Sequence, residues 1–205
     1  MAQPFVFDIV LAWWDRFRGR LEPRPCPFSG KGILELRIRT LLASPRSVVG
    51  AFGLAAGDRV LEIGPGTGYY SVEAARRVGQ AGRLICLEIQ REMALAVRQR
   101  LTAAGHSSGC VLQGDARVIP VRNGSMDHVF LVAVLGEIPN RREALAEIYR
   151  VLRPGGRLSV SEQLPDPDFV TPRALRRELR AAGFVEQITR GRFWYTSTWM
   201  ADGRR

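Results

Sequence analysis

Lysine is all but missing from this 205-residue chain: of its 30 basic residues only Lys31 is a lysine, and the rest are arginines. That residue precedes every expected strand and is followed by Gly32. The chain therefore has neither the Gly-Lys-Ser/Thr end of a phosphate loop nor a Tyr-x-x-x-Lys hydride-transfer pair. Cysteine is scarce too. Cys26, Cys86 and Cys110 are odd in number and lack paired spacing, which excludes a disulfide scaffold and every zinc-ligand pattern. The two histidines, His106 and His128, have no sequence neighbours that would make a triad or a metal set, so the expected metal content is none. No run of about 18 apolar residues exists to span a bilayer. The N-terminus has neither a basic stretch nor a small-residue cleavage site, so a secretory signal is not expected. A reduced, cytoplasmic compartment is the expectation.

What is present is ordinary for a globular domain: 46% hydrophobic and 24% charged residues, in a chain long enough to bury a full core. The net charge of +10 could suggest a nucleic acid or an anionic membrane. The arginines are nevertheless spread from Arg16 to Arg205 rather than gathered in a block, and so uniform a choice of arginine suits a codon bias.

From about residue 55 onward, short apolar runs alternate with helical patterns. Strands are expected over 59–63, 83–88, 110–113, 127–134 and 157–161, with helices over 71–78, 91–104 and 141–152 between them. Asn140 and Glu143 have the spacing of a capping box. Thr171-Pro172 opens a further helix and Gly183 closes it. Two last strands, 184–189 and 192–200, turn at Arg190-Gly191 and must be antiparallel. Such alternation predicts an α/β, doubly wound, largely parallel sheet of seven strands. Residues 1–54 read as an N-terminal helical cap or lid segment, and 55–205 as the main domain. Within the cap, a helix between Phe5 and Phe17 carries Trp13 and Trp14, and Ser44-Pro45 starts another.

The strongest signal lies where the first strand ends in Glu62 and runs into Gly64-Pro65-Gly66-Thr67-Gly68. Glycines let the backbone turn sharply and let a ligand lie against it. In a doubly wound sheet this turn is where a nucleotide-like ligand binds. The spacing is G-x-G-x-G rather than the G-x-G-x-x-G of a dinucleotide site. The second strand ends at Glu88, placed to accept hydrogen bonds from both hydroxyls of a ribose. Gly114-Asp115-Ala116 follows the third strand, offering a carboxylate to an exocyclic amine. The fourth strand leads into Val132 and then Val134-Leu135-Gly136-Glu137-Ile138-Pro139.

These elements, in this order, resemble the class I S-adenosylmethionine-dependent methyltransferases, from about Val60 to Met200. The resemblance implies a Rossmann-like fold and S-adenosyl-L-methionine as cofactor. Glu62, Gly64, Pro65, Gly66, Thr67 and Gly68 would hold its methionine end. Glu88 and Ile89 would take the ribose, and Met93, Asp115 and Ala116 the adenine, with Val132 at the end of the fourth strand. Glu137 is the carboxylate best placed to act as a catalytic base or to hold a cationic amine. Small-molecule members of the family carry histidine where this chain has Gly136, so a wider pocket is expected here. Tyr69 and Tyr70 start the first helix beside the cofactor, one facing the ligand.

The absence of an Asn/Asp-Pro-Pro-aromatic run and of a Pro-Cys after the fourth strand argues against the common nucleic-acid methylating types. A small-molecule or lipid-like acceptor is the reading, by in-line displacement of the methyl group. The alternatives are an RNA methyltransferase or nucleic-acid binder using the +10 charge, and a cofactor-binding protein without catalysis. Trp13, Trp14 and the arginines after them suit peripheral membrane contact through the helix between Phe5 and Phe17, or a homodimer contact.

Overall fold

The computed structural model describes residues 44–106, 109–164 and 166–203, in the element order the hydropathy pattern predicts. The helix expected between Phe5 and Phe17, with its membrane and dimer contacts, lies outside the described residues. Helix α1 (Pro45–Phe52) starts where Ser44 accepts the Ser47 amide, with proline in the first turn, and ends at left-handed Gly53. Then come β1 (Arg59–Ile63), α2 (Ser71–Val78), β2 (Arg83–Glu88), α3 (Arg91–Ala103), β3 (Cys110–Gln113) and β4 (Met126–Val132). A 3-10 turn (Leu135–Glu137) leads to α4 (Arg141–Val151), β5 (Leu152–Gln163), α5 (Pro172–Ala181), β6 (Phe184–Gly191) and β7 (Trp194–Ala201).

The seven strands form one sheet in the order β3-β2-β1-β4-β5-β7-β6. β1 pairs in parallel with β2 and β4, β2 with β3, and β4 with β5. β7 is antiparallel to both of its neighbours, β5 and β6. Chain order reverses direction across the sheet between β1 and β4, so the carboxyl ends of these two strands flank a crevice.

Side-chain alternation divides the core into two layers. Leu61, Ile63, Val129, Leu131, Leu158 and Val160 face one side with Leu145, Ile148, Leu175 and Trp199. Val60, Cys86 and Phe130 face the other with Val97, Leu101 and three residues of α1, Val48, Val49 and Phe52. The Phe52 and Phe130 rings lie 5.4 Å apart, so α1 is packed into the core that carries the sheet. On this second face His128 is fully buried. Its Nε2 is 2.8 Å from Ser159 Oγ, which lies 2.9 Å from Thr198 Oγ1, a polar thread across β4, β5 and β7.

Two local expectations need correction. Strand β4 stops at Val132, not at 134, because Ala133 turns left-handed with φ +54°. The capping box at α4 does not form. Asn140 is itself left-handed, and its side-chain amide donates to the Glu143 carboxylate instead of capping a backbone amide.

Candidate functional site

The chain leaves β1 at Ile63 and enters a turn in which Gly64, Gly66 and Gly68 all have positive φ. The three glycines serve different contacts. A Cβ on Gly64 would come within 2.6 Å of the Val134 side chain, so this turn and the segment after β4 interlock there. A Cβ on Gly66 would meet nothing within 4 Å, which leaves the backbone open to the cavity. Gly68 stands outside the cavity lining, and its Cβ would press on the Val97 backbone of α3 at 3.3 Å.

The cavity lies across the carboxyl ends of β1, β2 and β4. It is lined by Glu62, Gly64, Pro65, Gly66, Thr67, Glu88, Ile89, Met93, Asp115, Ala116, Val132 and Glu137, among others. The structure thus brings together every residue the motif reading selected except Gly68. Both Tyr69 and Tyr70 line it, with rings edge to face at 5.0 Å, although only one was expected to face a ligand.

Each acidic residue has a distinct anchor. Glu62 is buried, and its Oε2 accepts the Ser71 hydroxyl at 2.6 Å, with the Cys86 thiol at 3.5 Å. Burial pushes its pKa from 4.5 up to about 7, against the pull of these hydrogen bonds. Glu88 accepts the Gly66 amide at 3.1 Å on Oε2 and the Gln90 amide at 3.0 Å on Oε1, stitching the β1 and β2 loops together. Desolvation raises its pKa in spite of those bonds. Asp115 is held in a fork by Arg117, with Nη2 at 2.6 Å and Nε at 3.1 Å, and the Arg117 hydrogen bonds hold its pKa down.

Arg117 escaped the sequence reading, as did the Ser71 anchor and the wall formed by Ala133 and Val134. The Asp-Ala-Arg run does place a guanidinium two residues from the carboxylate. Nothing in the sequence says that it folds back on it.

At the other end of the cavity, Glu137 sits on the 3-10 turn beside Ile138 and Pro139. The wider pocket expected at Gly136 does not form, for Gly136 is not among the residues that line the cavity. It is buried, and a Cβ there would run into the carbonyl oxygen of Asp168, so glycine admits the loop after β5 against the turn. Beneath that loop lies Glu162, also missed from sequence. It is buried with Oε1 lacking a hydrogen-bond partner among the described residues, and its pKa is raised well above the carboxylate range by desolvation.

Among the described lining residues the charged groups are Glu62, Glu88, Asp115 and Glu137 against Arg117 alone. Such a cavity suits a ligand that carries positive charge and hydroxyls.

A family model described as a methyltransferase domain matches residues 61–160. A methyltransferase structure from Aquifex aeolicus superposes with a TM-score of 0.80, covering 86% of this chain and 99% of that one at 22% identity. The [4+2]-cyclase SpnF superposes at 0.65 with 20% identity, over 90% of this chain and 73% of that one, so the fold alone does not fix the reaction. A methyltransferase domain is thus matched over just under half of this chain, and the fold is one shared with S-adenosylmethionine-dependent methyltransferases. Its curated relatives include the ubiquinone/menaquinone biosynthesis C-methyltransferase UbiE of Marinomonas sp. strain MWYL1, 34% identical over 118 residues, 57% of this chain and 47% of that protein. The same enzyme of Pseudomonas putida is 35% identical over 111 residues, 54% of this chain and 43% of the relative. The chain spans about half the length of the curated relatives it matches.

The cofactor of the class is S-adenosyl-L-methionine, and the residues present fit it. The open face of Gly66 admits close approach, the acidic lining complements a sulfonium and an ammonium, and Glu88 sits at the tip of β2 where a ribose would lie.

Proposed function

We propose that this chain transfers a methyl group from S-adenosylmethionine to a carbon of a small, quinol-like acceptor. The observation that carries the proposal is the single cavity that runs from the Glu62–Glu88–Asp115 loop tips to Glu137. Its acidic groups lie at the loop-tip end, and Val134, Ile138 and Pro139 give the Glu137 end an apolar wall.

Glu62, with the amides of the β1 turn, holds the cationic methionine end. Glu88 takes the ribose hydroxyls, while Asp115, Ala116, Ile89 and Met93 enclose the base. When bound, the cofactor supplies a sulfonium methyl whose bonding pair leaves with sulfur as the new carbon–carbon bond forms. The protein's part is alignment and exclusion of water, which Val134, Ile138 and Pro139 perform at the acceptor end. A carbon that gains a methyl must lose a proton, and Glu137 accepts it, directly or from a ring hydroxyl.

The names of the relatives favour a quinone-class acceptor. The nucleic-acid alternative is not favoured, because many arginines are neutralised by carboxylates, among them Arg76 and Arg77 on Glu73, Arg150 on Glu147 and Arg176 on Glu186. Among the described residues no helix is long and apolar enough to cross a membrane. We propose a cytoplasmic location, with the chain ahead of α1, rather than α1 itself, as lid and a helix between Phe5 and Phe17 as a peripheral membrane contact.

The test is methyl transfer to a reduced naphthoquinone, read as S-adenosylhomocysteine release and as methylation of a ring carbon. Glu137→Gln should lower turnover by about a hundred-fold or more while cofactor affinity is kept. Absence of ring-methylated product with the unmodified protein would overturn the acceptor class, and full turnover by Glu137→Gln would overturn the role of Glu137.

A further inference from the structure

We propose that the tip of the β6–β7 hairpin, together with the end of β5, is a docking surface for an anionic lipid bilayer. The sequence there is Arg190-Gly191-Arg192-Phe193. Gly191 has φ +90°, and a Cβ on it would run into the Trp194 carbonyl, so the turn is tight and the residues beside it are driven outward. Farther along β7, Tyr195 and Trp199 are buried, yet Phe193 is 62% exposed. Leu164, just past β5, is 46% exposed and donates its amide to the Phe193 carbonyl at 2.8 Å, which fixes the two apolar residues side by side.

The hairpin tip itself is basic, while Asp166 and Asp168 follow Leu164 in the loop after β5. The Arg192 guanidinium lies 5.2 Å from the Phe193 ring centroid. Arg46 and Arg190 line one groove beside Trp194. All three arginines are exposed and, among the described residues, none forms an ion pair, in contrast with those on Glu73, Glu147 and Glu186. Aromatic and aliphatic side chains ringed by uncompensated arginine are the composition that partitions into the interface of an anionic membrane. A nucleic acid would satisfy the arginines but would leave Leu164 in water.

Position gives the surface a purpose. Trp194 is the register partner of Gln163, the last residue of β5, and β5 runs parallel to β4. The tip therefore stands at the end of the sheet where the cavity opens, two strands across from β4 and beyond the level of Val132. A bilayer seated on it lies next to the Glu137 end of the cavity, the entrance an apolar acceptor needs. The inference goes beyond the proposed reaction and is tested without acceptor or cofactor.

The full chain is mixed with phosphatidylcholine vesicles and with vesicles half phosphatidylglycerol, and the bound fraction is read by sedimentation at low and raised salt. The expected result is binding to the anionic vesicles, weakened by salt. It should fall by on the order of tenfold or more in Arg192→Glu and again in Phe193→Ser. Leu164→Ser is a third exposed variant, and unchanged melting temperatures show that all three fold. Recovery of the unmodified protein in the supernatant would overturn the proposal. So would equal binding by the three variants, which would place membrane contact elsewhere in the chain. Tip-dependent binding to a generic RNA with none to vesicles would assign the surface to nucleic acid instead.

Discussion

Glu62 shows how one residue's surroundings set its chemistry. Its carboxyl, held by Ser71 and Cys86, titrates near 7 because burial disfavours the charge. A cationic ligand needs that carboxylate ionised, so binding must expel a proton wherever the free residue holds one. Cofactor affinity should therefore rise as pH increases toward 7, by up to about tenfold per pH unit below it, and level off above. Calorimetric titrations of S-adenosylmethionine across that range check this, and Glu62→Gln should bind weakly with a flat profile. Position in the sequence was enough to bring Glu62, Glu88 and Asp115 to one cavity, because each lies near or just past the end of a strand on the same edge of the sheet. Arg117 and Ser71 were not legible, since their partners are decided by side-chain direction.

At the level of elements, the boundaries were largely readable: apolar periodicity and the punctuation by glycine and proline gave most strands and helices within a residue or two. Contacts between loops were not. Gly136 looked like a lost side chain and a larger pocket, but the space belongs to the backbone of Asp168. Gly64 lines the cavity as the motif implies, but that a Cβ on it would strike Val134 was not legible. Gly64→Ala should thus lower both the melting temperature and cofactor affinity, through the clash and through a positive φ that alanine tolerates at a cost of about 1 kcal/mol or more. Adding Val134→Ala removes the clash alone. The double variant should recover part of the loss in thermal melts, and a strictly additive pair would contradict the interlock.

For the molecule as a whole, stability against pH is governed by buried groups of opposite sign. His128 titrates near 3 rather than 6.5, because its burial disfavours the cation. A depressed histidine contributes stability that is present above 6.5 and is lost as pH falls toward 3, by about 1.4 kcal/mol per unit. Glu62, with its raised pKa, contributes stability that is full below 4.5 and is lost as pH rises through about 7. Between about 4.5 and 6.5 the two offset each other, so the stability of the unmodified protein in urea unfolding should decline mainly below about 4.5, and less steeply in His128→Gln, where glutamine keeps a hydrogen bond to Ser159 without a titrating ring. An equal acid slope in both would show that His128 does not control it.

The bond pair that Glu88 accepts, from Gly66 on one loop and Gln90 on the next, has a consequence for how a ligand is received. The carboxylate lines the cavity, and the loops that carry its donors are already joined. Association then demands little ordering of the chain, so the free energy of contact is kept as affinity rather than consumed in arranging the receptor. Preorganisation of this kind would let a flexible nucleoside settle there with little rearrangement of the two loops.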